Sequence, residues 1–130
     1  MTTDLWMLVW TAMLCLTLPV VYASGRLSSP GGLAYGMGNR EGEPPPEPAW
    51  VKRGVRAHAN LVENLAVFAI LVLVAHLAGR ANATTALGAT LFFWARVAHA
   101  AVYVLGLTGI RTLAFFAGTV GELLILAQLF

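Results

Sequence analysis

Charge is scarce in this chain. Only 11% of its 130 residues are Asp, Glu, Lys or Arg, while 58% are hydrophobic and the mean hydropathy is +0.75. A water-soluble domain usually has about 25% charged and about 45–50% apolar residues, so lipid is the implied solvent. The charge that exists nets to +2 and is scattered. No basic stripe forms, which excludes nucleic acid as a partner. Cysteine is rarer still: Cys15 stands alone inside an apolar run, so no internal disulfide exists and the redox compartment is not readable. No internal repeat is present, and the length allows one domain, 1–130.

What is abundant is long apolar sequence. Four stretches stand out, Leu5–Tyr22, Val55–Leu77, Thr85–Leu107 and Thr112–Phe130. Each has the roughly 20 residues that a helix needs to cross about 30 Å of hydrocarbon. In lipid the backbone can bond only to itself, so each is expected to be helical, giving an all-α four-helix membrane bundle. The first stretch is read as a retained helix and not a signal peptide, because Asp4 is acidic where a signal peptide is basic. Pro19 falls near its end, where a kink is tolerated.

The segment 23–53 has a different character. Ser28-Ser29-Pro30-Gly31-Gly32 and Glu43-Pro44-Pro45-Pro46-Glu47-Pro48 punctuate it, which predicts a long solvent-side loop. The other connections, Ala78–Thr84 and Thr108–Arg111, are short and make their helices antiparallel neighbours. Arg26, Arg40, Lys52, Arg53, Arg56 and Arg111 fall on the long-loop side, against Arg80 on the other. The positive-inside rule then puts the long loop in the cytoplasm and both termini across the membrane.

The informative residues are the polar ones within the spans, because an ionisable group in lipid is expensive and marks a functional site by default. The second stretch carries Arg56, Asn60 and Glu63, spaced i, i+4, i+7 on one helical face. The third carries Arg96, His99 and Tyr103, again on one face, and the fourth has Arg111 at its start and Glu122 inside. At about 1.5 Å rise per residue these groups fall at matching depths from the loop side, as one connected cavity would require. Its arginines suit an anionic ligand, since a guanidinium grips a carboxylate bidentately.

Plainer readings stand beside this one. Arg96 and Glu122 also make sense as a buried structural ion pair, His99 as an interhelical hydrogen bonder and Tyr103 as an interfacial aromatic. Arg56 and Arg111 could serve as positive-inside anchors, as His76 and Arg80 are read to do. A small proton-coupled transporter would use Arg96, His99, Glu63 and Glu122 as a relay. It would need ionisable groups across the whole bilayer, and the far half offers few beyond His76 and Arg80.

The run Arg56-Ala57-His58-Ala59-Asn60-Leu61-Val62-Glu63-Asn64 resembles the helix-two signature of the MAPEG family, the membrane-associated proteins in eicosanoid and glutathione metabolism. Arg96-Val97-Ala98-His99 with Tyr103 is similar to helix three of its prostaglandin-E synthase and microsomal glutathione transferase members. Ile110-Arg111-Thr112-Leu113-Ala114-Phe115-Phe116 is similar to the start of their helix four, and Gly38-Asn39-Arg40-Glu41 to loops of bacterial members. Phe115 stands where some relatives carry a tyrosine. The resemblance covers essentially the whole chain, in order.

That resemblance implies a homotrimer in a bacterial inner membrane, with glutathione between adjacent subunits as co-substrate and no metal. It implies that Arg56, Asn60 and Glu63 bind glutathione from one subunit, and His99, Tyr103 and Arg111 from its neighbour. Arg26 would meet a glutathione carboxylate, and His58 would join the binding set. Arg111 would hold the thiolate, helped by a hydrogen bond from Thr112. The implied activity is transfer of glutathione to a lipophilic electrophile, or reduction of a lipid hydroperoxide. The contrasting expectation is a non-catalytic membrane binding or structural protein that keeps the fold.

Overall fold

Residues 1–130 are described by a computed structural model, and helices cover most of each apolar run. They are α1 (Thr3–Leu27), α2 (Gly32–Met37), α3 (Ala49–Leu77), α4 (Ala83–Leu105) and α5 (Thr108–Leu126), with no strand. All but α2 are long and apolar enough to cross a membrane. Large side chains such as Leu16, Val20, Ile70, Leu87 and Leu113 are exposed on the outside of the bundle, as lipid-facing residues are.

Several boundaries differ from the sequence reading, and the fourth span ends at Leu126 and not at Phe130. α1 runs on to Leu27 and α3 begins at Ala49, so the expected loop 23–53 loses both ends to helix and contains α2 besides. These extensions are helical but mix charged and apolar residues, so hydropathy does not reveal them. The connection expected at Thr108–Arg111 is Gly106-Leu107 instead. Gly106 adopts φ 83°, a left-handed C-terminal stop that a residue with a Cβ takes at a cost, and its N–H bonds the Tyr103 carbonyl at 3.1 Å. Arg111 therefore lies in the first turn of α5.

α4 packs most extensively on α5, and α1 on α3. The α4–α5 approach is close because glycine faces glycine: a Cβ at Gly121 would press on the Gly88 carbonyl oxygen and the Phe92 nitrogen. Small residues at such crossings let backbones meet in lipid, where no hydrophobic force drives helices together. In the half of the bundle away from the long connection, Phe68, Val72, Ala75, Ala89, Phe92 and Ile125 form one buried cluster. The rings of Phe68 and Phe92 stack at 4.0 Å. The far end is also tied together by side-chain hydrogen bonds. Asn82 and Thr85 form a capping box, Thr85 Oγ1 donates to the buried Asp4 at 3.3 Å, and Asn82 donates to Gln128 at 2.9 Å.

Candidate functional site

The opposite end gathers the polar residues. Asn60 on α3 meets Arg96 on α4, whose Nη1 donates to Asn60 Oδ1 at 3.1 Å. Asn64 Nδ2 in turn donates to the Asn60 backbone carbonyl at 2.7 Å, one helical turn back. Arg96 is 1% exposed. Its guanidinium lies between the Phe92 and Phe115 rings, 4.9 and 5.2 Å from their centroids. It also packs on the bare backbone of Gly118, where a Cβ would sit 3.1 Å from Nη2.

The expected Arg96–Glu122 ion pair is not formed. No carboxylate lies within 4.0 Å of Arg96, and Arg96 Nε, Arg96 Nη2 and Glu122 Oε1 are buried without hydrogen-bond partners. The observed helix ends give the reason. Arg96 lies about 14 Å along α4 from its loop-side end, level with Gly118, whereas Glu122 lies about 21 Å along α5. The earlier start of α5 carries Glu122 a full turn deeper than the sequence spacing implied.

Nearer the mouth, His99 and Tyr103 on α4 meet edge to face at 5.4 Å. Arg111 on α5 lies over the Tyr103 ring at 4.6 Å, a cation–π contact that fixes the guanidinium at the loop-side end of both helices. Arg53 clamps the same corner, donating from Nε to the Val104 carbonyl at 2.9 Å. The α4–α5 turn thus has a support that sequence reasoning left among the charged residues of the loop.

Not every candidate residue joins this group. Arg56 and Glu63 share a face of α3 but are exposed, and neither makes an ion pair within the chain. Thr112 is exposed as well. His58 faces α1, with Nε2 3.5 Å from Cys15 Sγ and Nδ1 3.2 Å from the Tyr22 hydroxyl. Arg26 lies over the Tyr22 ring at 5.3 Å and donates from Nε to Glu47. The Cys15–His58–Tyr22–Arg26 chain was not foreseen. Its signal was the spacing: His58 is two residues from both Arg56 and Asn60, which turns it about 200° away from each.

Two concavities accompany the site. One, of about 690 Å³, lies among the end of α1, α2 and the proline-rich connection, with Arg26, Tyr35, Arg40 and Glu47 in its lining. The other, of about 430 Å³, is a wholly apolar groove between α1 and α4, from Leu14 and Leu18 to Val104 and Leu105. Neither is lined by Arg56, Asn60, Glu63, His99, Tyr103 or Arg111. The connected cavity expected from matching depths is therefore not among them. Within one chain Arg56 and Glu63 are exposed, while Asn60 between them turns to Arg96 on α4.

The sequence model of the MAPEG family matches residues 6–130, nearly the whole chain. The chain belongs to the MAPEG family. Its fold and its four spanning helices agree with that membership and make it an integral membrane protein. No curated protein and no solved structure matches the chain. The MAPEG family includes glutathione transferases and related enzymes.

Proposed function

We propose that this MAPEG protein is a glutathione-dependent membrane transferase or peroxidase acting on lipophilic electrophiles or lipid hydroperoxides. The observation that carries the reading is the placement of Arg111, stacked 4.6 Å over Tyr103 at the start of α5. There a fixed guanidinium and the positive end of a helix coincide. Both favour an anion, and the anion that this chemistry needs is a thiolate, because the thiolate and not the thiol is the nucleophile.

In the proposed reaction glutathione gives its thiol proton to solvent and its sulfur rests beside Arg111. The sulfur then forms a bond to the electrophilic carbon, and the leaving group departs with the bonding pair. With a hydroperoxide the sulfur attacks the terminal oxygen instead, the O–O bond breaks and the alkoxide takes up a proton. A second glutathione then displaces that oxygen as water and closes the disulfide. Thr112 supplies a hydrogen bond to the sulfur. The electrophile arrives from lipid already concentrated and oriented, which lowers the entropic barrier.

The remaining contacts come from Arg56, Asn60 and Glu63 of one subunit, with His99, Tyr103 and Arg111 of the next. The exposure of Arg56 and Glu63 on a spanning helix supports this arrangement. Charged groups in lipid need cover, and a homotrimer supplies it. The long connection faces the cytoplasm, where glutathione enters.

The test is conjugation of glutathione to a generic aryl halide by purified protein, with and without Arg111. Wild type should turn over, and Arg111→Ala should be slower by about 10–150-fold, the worth of one charge-assisted contact at about 1.5–3 kcal/mol. Glutathione binding with no conjugation in the wild type would favour a binding protein that keeps the fold.

A further inference from the structure

Arg26, on which a glutathione carboxylate is expected to rest, already holds a carboxylate. Its Nε donates to Glu47 Oε1, while the Tyr22 ring supports the guanidinium from one turn back on α1. Glu47 belongs to Glu43-Pro44-Pro45-Pro46-Glu47-Pro48, the irregular strap that joins α2 to α3. Prolines keep such a strap extended, with no backbone N–H to tie it to a neighbour. The Arg26 and Glu47 side chains are 43% and 24% exposed. A pair so open to water is weak and exchanges readily.

The cavity beside the pair has an unbalanced lining. Arg26 and Arg40 supply two guanidinium groups, and Glu47 is the single carboxylate. Arg40 makes no ion pair, and its backbone is held at φ 58°, an uncommon conformation for a residue other than glycine. The cavity thus keeps a net positive charge even with Glu47 in place. An incoming carboxylate can make the same charge-assisted bond to Arg26 that Glu47 makes. The strap also carries a reporter. Trp50, three residues beyond Glu47, packs on Gly25, where a Cβ would run into its ring.

Resting on the proposed function, we infer that Glu47 is an internal competitor. Its carboxylate occupies Arg26 in the free protein, and a glutathione carboxylate displaces it and frees the Pro44–Pro48 strap. One carboxylate replaces another on the same guanidinium, so no proton changes hands. Glutathione affinity is held below what Arg26 alone would give, and occupancy of the site is signalled to the loop.

The test uses full-length protein in detergent, labelled with 5-fluorotryptophan, with the Trp50 fluorine resonance assigned through Trp50→Phe. Glutathione is titrated into wild type, Glu47→Gln, Glu43→Gln, Arg26→Ala and the Arg26→Ala/Glu47→Gln double variant. Glu47→Gln should bind about two- to five-fold more tightly, the size of a half-exposed ion pair. Glu43→Gln removes the same charge from the same strap and should not. Adding Glu47→Gln to Arg26→Ala should bring no further gain. The Trp50 resonance should move in Glu47→Gln without ligand, and glutathione should move it the same way in wild type. Unchanged or weaker affinity in Glu47→Gln, or an equal gain in Glu43→Gln, would overturn the competitor while leaving glutathione binding in place. Absence of glutathione binding in every protein would remove the proposed function, and this inference with it.

Discussion

At the far end of the bundle Asp4, Asn82, Thr85 and Gln128 bond to one another beneath a closed cluster of phenylalanine and aliphatic side chains. At the loop end Arg56 and Glu63 are exposed, Arg96 keeps two nitrogens without partners, and Arg111 lies over an aromatic face with no ion pair. The same four helices run through both ends, so the contrast comes from which residues the sequence places where. A membrane protein can afford unsatisfied polar groups only where something else satisfies them. The helix ends of the far side are tied together within one chain, while the loop end leaves exposed and unpaired charges that, under the proposed function, a ligand and a neighbouring copy would cover.

The contrast can be broken most severely at the far end. Gly121→Val pushes a side chain into the backbone of Gly88 and Phe92. It should cost about 1–3 kcal/mol of stability, as overpacking does, seen as a lower melting temperature in detergent. Because α4 and α5 also carry Tyr103 and Arg111, glutathione binding should fall with it. Arg56→Ala should act the opposite way. The side chain is exposed and unpaired within the chain, so melting of the subunit should barely change. Its glutathione affinity should drop by about ten-fold or more, the worth of a charged hydrogen bond, and calorimetry reads that directly. Equal affinity in wild type and Arg56→Ala would detach the α3 face from the site. The smallest effect on binding is expected from His58→Ala. His58 turns to Cys15 and Tyr22, so glutathione affinity should change less than about two-fold, while α1–α3 packing loosens by about 0.5–1.5 kcal/mol.

How much of this was legible in the sequence depends on what each feature needs. The spanning helices follow from run length, because lipid leaves a backbone no other choice. The face shared by Arg56, Asn60 and Glu63 follows from 3.6-residue periodicity, and the same arithmetic separates His58 from it. The last turn of α1 and the first turns of α3 escaped because they mix charged and apolar residues, and α2 because six residues between glycines and prolines read as loop. The Arg96–Asn60 bond was out of reach because it depends on how α3 and α4 are rotated and slid against each other. The Arg96–Glu122 pair failed for a related reason. Depth was counted from assumed helix ends, and the early start of α5 after Gly106 shifted Glu122 by more than a turn.

The central claim is that Arg111 and the start of α5 hold a thiolate. Ultraviolet difference spectroscopy on glutathione-saturated protein at neutral pH measures that species directly. Wild type should show thiolate absorbance and release protons on binding. Arg111→Ala should lose the absorbance while keeping part of its affinity through Arg56, Asn60 and Glu63. A glutathione-saturated wild type with no thiolate band at neutral pH would contradict the account and leave a protein that binds glutathione without activating it.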